Sequence, residues 1–477
     1  MIADLKPYAE YKTSAQSWFG DVPTHWTVMP NRAIFAEVKD RNHPDEEMLS
    51  VTITRGIVKQ KALLEGSSKK DSSNQDKSAY KLVQPRDIAY NKMRAWQGAI
   101  GASTLRGIIS PAYVVMRLRN ADDLPRYFHH LYRTPQFAKE AERWSYGITS
   151  DMWSLRPEHF RMIYTPEPPS DEQDGIVRFL DWANGRLDRA IRGKRKVIAL
   201  LNEQKQSIIH RAVTRGLDSS VPLKPSGIPW LGDIPAHWQA IRLARVITHG
   251  PQNGISPSIS DTSTLESFSI SAIRNGVVDI RETDRKFVSG GSALLNGKYS
   301  LLGGDILLVR GNGNIRLVGK AGLVLRDMDG ILYPDLLMRI RTSNRILPKF
   351  LTLNLNCPVV SEQVESAART AVGTFKINNQ QVKQLWIPLP GIEEQKAILQ
   401  YVISNTSSID EVIVRTEKEV FLLTEYRTRL VADVVTGKLD VREAAAKLPV
   451  EEHAIEPGEL VEDDSEMIED EITEPAG

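Results

Sequence analysis

The chain has 477 residues, one cysteine and a formal net charge of +1, which is long enough for two or three domains with separate cores. No stretch approaches about 18 consecutive apolar residues and "MIADLKPYAEYK" lacks a secretory pattern, so a cytoplasmic protein is expected; the lone Cys357 argues against disulfides and cysteine metal clusters. The small net charge hides a division, because residues 451–477 hold 12 acidic and no basic side chains, leaving 61 basic and 48 acidic residues in 1–450. The body is basic and suited to polyanions, and the acidic stretch reads as a solvated tail.

In chain order, the first landmark is "WFGDVPTHW" at 18–26, which returns as "WLGDIPAHW" at 230–238. Tryptophan and histidine are scarce, so the repeat indicates a duplication. His25 and His237 sit between Pro and Trp in these signatures, where a structural role in a turn is expected. Other landmarks recur in the same order: "RDIAYNKM" with "GDILLVRG", then "GIISPAYVVMRLR" with "GILYPDLLMRIR". Each half thus predicts a globular region of short β-like runs.

A long helix closes each half. "EQDGIVRFLDWANGRL" from Glu172 and "EQKAILQYVISNTSSI" from Glu394 open two stretches that align without a gap. Apolar residues recur in alternating steps of three and four at Ile176, Leu180, Ala183, Leu187, Ala190, Val197, Leu201 and Ile208, and in the second copy Ile398, Val402, Ile409, Val412, Leu423 and Leu430 occupy the same columns. Lys194 and Gln204 interrupt the first stripe, and Asn405, Thr416 and Glu419 the second. Such seams predict a coiled coil; each helix is the economical partner of the other, antiparallel, since a globular region must connect the end of one to the start of the next. The fold class expected is therefore α+β: two globular α/β domains joined by two long antiparallel coiled-coil helices, with a pseudo-two-fold internal duplication. The boundaries are 1–168 for the first globular domain, 169–216 for the first helix, 217–226 for a linker, 227–389 for the second domain, 390–440 for the second helix and 441–477 for a disordered acidic tail.

Between these elements lie loops with the chemistry of DNA recognition: Arg, Lys, Asn and Gln for base edges and phosphates. The first half offers Tyr90, Asn91, Lys92, Arg94, Trp96 and Gln97, with Thr149 in the later turn "SYGITS". The second offers Arg310, Asn312, Asn314, Arg316 and Lys320, with Arg369, Thr374 and Lys376 in "RTAVGTFK". A flexible basic loop, "GSSKKDSSNQDK", is a further candidate. Catalytic, metal and cofactor signatures are missing: there is no phosphate-cradling GxxxxGK[ST], no cofactor strand paired with an Asn-Pro-Pro-aromatic or Asp-Pro-Pro-aromatic segment, and no clustered histidines. The residues leave open a non-catalytic subunit, a stand-alone DNA-binding regulator, and, disfavoured by those missing motifs, a self-sufficient methyltransferase or nuclease.

The doubled signature, the helices opening on "EQ" and ending in "VTRGLD" and "VTGKLD", and "YNKMRAWQGAIG" followed by "SPAYVV" resemble the specificity subunits of type I restriction-modification systems. The resemblance covers residues 8 to about 442. It implies two target recognition domains, each reading half of a bipartite site on double-stranded DNA, and a helical frame over 171–215 and 393–437. It also implies that two methylation subunits and restriction subunits with nuclease and translocase activity are the partners, in host defence. S-adenosylmethionine, ATP and magnesium would belong to those partners and none to this chain. The second domain lacks counterparts of Trp96 and Gln97, which implies two different half-sites.

Overall fold

The computed structural model describes residues 5–64, 76–147, 152–259, 265–290, 299–328, 330–371 and 373–448. Thr149, most of the basic loop and the acidic stretch 451–477 lie outside them. Contacts divide the chain into two compact units, one of residues 1–194 with 418–477 and the other of 195–417. The divisions fall inside the two long helices.

The first unit is built on a four-stranded antiparallel sheet in the order Phe35–Val38, Tyr113–Leu118, Ile88–Asn91, Ile100–Ala102. Its residues alternate between two apolar clusters: Ile88, Tyr90, Val114 and Met116 face one core, and Ala89, Tyr113 and Val115 face another, as the period of two in a strand requires. Two short helices follow, Pro125–Tyr132 and Pro135–Arg143, each with proline in its first turn, where a missing N–H costs nothing. Tyr164–Glu167 then returns to pair with Thr27–Pro30.

The second unit repeats this order. Its sheet runs Ile247–Asn253, Leu337–Thr342, Ile306–Val309, Ala321–Leu323 and continues with two further short strands. The helices Pro348–Leu355 and Pro358–Ala367 again start on proline, and Trp386–Leu389 pairs with Gln239–Arg242. A buried ion pair recurs at corresponding positions. Asp87 accepts from Arg117 Nε and Nη2 at 2.7 and 2.9 Å, and Asp305 accepts from Arg341 at 2.6 and 3.1 Å. Each aspartate also receives a backbone N–H, from Gln84 or Leu302, so both carboxylates are compensated despite near-complete burial, as a buried charge requires.

The long helices span Ser170–Arg215 and Ile392–Val435. Proline pairs or Pro-Gly precede them, acidic residues fill their first turns, and the macrodipole favours those charges there. They run antiparallel in both units. In the first, Asp188 pairs with Arg427 and Lys194 with Glu419, so the index of one helix rises as the other falls. In the second, Lys205 pairs with Asp410, while Ile209, Ala212 and Val213 share a core with Ile398 and Val402.

The seam departs from the expected stripe by one residue midway. Ile176, Leu180, Leu187, Ile398, Val402, Ile409 and Leu430 are buried as expected, and Leu201, Ile208 and Leu423 are half-buried. Val197 and Val412 are instead 45% and 46% exposed, and the buried or half-buried positions beside them are Ile198 and Ile413. A strict 3.5-residue repeat drifts by about 20° per heptad against a straight helix. The observed stripe absorbs the drift by two successive steps of four, Ala183 to Leu187 to Ile191, after which every second position, Ile191, Ile198 and Lys205, lies one residue beyond the expected column, while Lys194, Leu201 and Ile208 keep theirs. For the same reason Lys205, not Gln204, and Thr406, not Asn405, face the seam. The interruptions at Lys194 and Glu419 prove to be partners, 2.5 Å apart.

The expected tail boundary at 441 also moves. Arg442–Ala446 is a short helix, and Val441, Ala444, Ala445 and Leu448 enter the core of the first unit. Their spacing of three, one and three places them on one helical face.

Candidate nucleic-acid interface

Each unit locks the repeated signature onto the start of a long helix through one carboxylate. In the first, Glu172 accepts from Trp26 Nε1 at 3.0 Å and from the Tyr8 hydroxyl at 2.5 Å, and lies 2.7 Å from His25 Nε2. In the second, Glu394 accepts from Trp238 Nε1 at 2.9 Å and lies 2.9 Å from His237 Nε2. The adjacent glutamines act alike. Gln173 accepts from Leu124 N–H and donates to Pro168 O; Gln395 accepts from Leu347 N–H and donates to Pro390 O. His25 and His237 are thus structural, as expected. Their connection to the "EQ" pair is a feature the sequence carried in two separate repeats without joining them.

The helix ends complete the lock. Gly437, at φ +75°, sits where an added Cβ would come within 2.5 Å of Pro23, and Gly216, at φ +70°, where it would approach Trp238 at 3.3 Å. Only glycine adopts that backbone freely. These contacts tie the signature turn of each unit to its long-helix ends.

In the first unit the loop candidates follow the strand Ile88–Asn91. Tyr90 is a correction: its side chain is fully buried, its ring 5.0 Å from that of Phe160, and burial pushes its hydroxyl well above the ordinary range. Alternation across the strand turns it inward, so it supports the loop and cannot touch a ligand. Asn91 is half-buried, and its Oδ1 accepts from Met93 N–H. Lys92 and Arg94 are half-buried and Gln97 is exposed. Trp96 donates to Met93 O and packs edge-on against Trp153 at 5.5 Å, which makes it a brace more than a reading surface. Leu155 N–H donates to Lys92 O at 2.9 Å, so the segment after 151 is laid against this loop. Lys92, Arg41 and Lys39 also crowd Lys81, whose amine burial first and these cations second hold down to about 8.

The second unit brings its two candidate segments together by strand pairing. Gly311–Asn312 pairs with Thr374–Lys376, which pairs with Arg369–Ala371. Asn312 Oδ1 accepts from Asn314 N–H, and Asn314 Oδ1 from Arg316 N–H, two successive turns of a kind asparagine favours. Arg316, Asn314 and Lys376 are exposed, and Arg310, Asn312, Lys320 and Thr374 half-buried. The Arg310 Nε is buried with no hydrogen-bond acceptor among the described residues. Arg369 lies on its strand, with its side chain outside the described set. Among the described residues no group of His, Cys, Asp and Glu could hold a metal ion, and no helix is long and apolar enough to cross a membrane.

Two units of one topology, each with a loop cluster rich in Arg, Lys and Asn and each seated on antiparallel helix segments, define an internally duplicated scaffold carrying two dissimilar polar surfaces. The chain is 26% identical over 253 residues to the type I restriction enzyme EcoKI specificity subunit of Escherichia coli (strain K12), covering 52% of each chain. It is 24% identical over 283 residues to the StySPI specificity subunit of Salmonella potsdam, covering 58% of each. The match therefore spans little more than half the length of these relatives, and no protein-family model matches. One chain from a solved structure, described as showing complex assembly and conformational transition of the type I R-M system, aligns with a TM-score of 0.57 at 16% identity over 88% of this chain and 99% of that one. It shares the fold. The resemblance to type I specificity subunits is borne out by these relatives.

Proposed function

We propose that this chain is the non-catalytic DNA sequence-recognition subunit of a type I restriction-modification complex, each unit reading one half of a bipartite, asymmetric site. The observation that carries the reading is the doubled construction of the loops. In both units two separate polar segments are brought together beyond the same sheet strand, while their side chains differ, as two readers of different half-sites would. The basic body supplies the phosphate attraction that precedes any reading of bases.

In this reading methylation subunits and restriction subunits assemble on the chain, in the cytoplasm, and bring S-adenosylmethionine, ATP and magnesium. Support for partners comes from apolar side chains left outside on the second long helix, Val414 at 64% and Phe421 at 66% exposure, which a stand-alone regulator has no use for. The test is to replace residues 227–389 with the corresponding domain of another such subunit and to map methylated sites in cells carrying partner subunits. One half-site should change and the other persist. Alteration of both halves, or no methylation that depends on the chain, would refute it.

A further inference from the structure

We propose that the first unit reads a cytosine through Glu158, in a cleft whose cations Lys92 and Arg156 hold the neighbouring DNA phosphates. The proposal rests on the DNA-recognition reading and names the contact within it.

The cleft has a volume of about 540 Å³ and is walled by Lys92, Tyr146, Ser154, Arg156 and Glu158. It is a place where two segments distant in sequence meet. The bond from Leu155 N–H to Lys92 O fixes one wall, and the bridge between Tyr146 and Ser154 fixes the other. The Tyr146 ring is 60% exposed yet held in place by the His159 ring 5.0 Å away.

Among the described residues the charges in this cleft are uncommitted. Lys92, Arg156 and Glu158 make no side-chain hydrogen bond or ion pair with any described residue. Other cations of the same unit are paired, Arg117 with Asp87, Arg106 with Glu46 and Arg126 with Asp181. Two free cations beside an exposed aromatic ring suit a polyanion with flat, hydrogen-bonding faces.

Glu158 decides which base. A carboxylate only accepts, and a phosphate would repel it, so with the cleft set over the major groove, where every base pair is distinguishable, its partner is a donor. The major groove offers two, cytosine N4 and adenine N6. Adenine sets the acceptor N7 directly beside N6, which repels the second carboxylate oxygen. Cytosine has a C–H there, so it is the base that a carboxylate accepts.

The experiment selects randomised duplexes with the full-length chain and with two variants, Glu158→Gln and the double variant Lys92→Ala/Arg156→Ala. The wild-type site should contain one cytosine whose replacement weakens binding about 5- to 150-fold, the range for one good base contact. Glutamine pairs with adenine N6 and N7, so Glu158→Gln should lose the cytosine preference at that position, or shift it to adenine, with every other position unchanged. The double variant should keep the sequence preference and bind all sites more weakly, with the salt slope reduced by about 2. If the wild-type chain selects a bipartite site and Glu158→Gln selects the same one, the cleft assignment is wrong and the recognition reading stands. An unchanged salt slope in the double variant likewise removes the phosphate assignment. If the wild-type chain selects no site, both fall.

Discussion

Glu172 and Glu394 occupy equivalent positions but serve different numbers of donors, and that difference sets the size of their contributions. Replacing Glu172 with alanine strips the acceptor from Trp26, which is fully buried, from Tyr8, which is 5% exposed, and from His25, whose side chain is 41% exposed. Each buried donor left unsatisfied costs about 1 to 3 kcal/mol, and the solvated histidine adds little, so Glu172→Ala, which orphans two, should destabilise the first unit by about 2 to 6 kcal/mol, about twice the loss at Glu394. Glu394 serves one buried donor, Trp238, and a histidine whose side chain is 51% exposed; its loss should cost about 1 to 3 kcal/mol. Urea unfolding of the full chain, followed by tryptophan fluorescence, measures both. The two losses belong to separate units and should add in the double variant to within about 0.5 kcal/mol. A Glu394→Ala variant as destabilised as Glu172→Ala, or strong non-additivity, would show that the carboxylates do not act through these local donors.

Gly437→Ala should destabilise the chain by about 1 to 3 kcal/mol, since the new Cβ meets Pro23 at 2.5 Å in a left-handed backbone, whereas Gly216→Ala, with its nearest neighbour at 3.3 Å, should cost less; thermal melting ranks the two. Ile413→Ala should cost about 2 to 4 kcal/mol and Val412→Ala less than about 0.5 kcal/mol, because the first is 8% and the second 46% exposed; a reversed order in denaturant titration would restore the stripe expected from a strict heptad. Cys357 is 1% exposed, and burial pushes its thiol up to about 12, so a thiol reagent at pH 8 should label the denatured chain and leave the native one unmodified, with mass spectrometry as the readout. Lys81, held down to about 8 against an ordinary 10.5, binds its proton less readily when folded than when unfolded. Stability should therefore rise with pH from about 8 towards 10.5, and Lys81→Met should flatten that rise in unfolding curves.

Duplication, the existence of both long helices and the location of the polar loops were legible in the sequence because each depends on local order: a repeated word, a repeated period, a run of one chemistry. The stripe failed where local order was insufficient. A period of 3.5 and one of 3.6 differ by so little that Val197 and Ile198, or Val412 and Ile413, are separated only by where the facing helix lies. Tyr90 was placed at a DNA surface by composition, but which side of a strand faces the core is decided by the element packed against it, here the segment carrying Phe160. The same holds for function. Lys92 was visible in its loop; Arg156 and Glu158, more than sixty residues later, had no pattern to announce them, since a cleft between distant segments is created by tertiary packing alone. Glu172 and His25 were each conspicuous in a doubled motif, yet the bond between them spans 147 residues. Spacing along the chain reports neighbours on one element, and only the closing of the fold brings a histidine after one turn to the carboxylate that opens a helix.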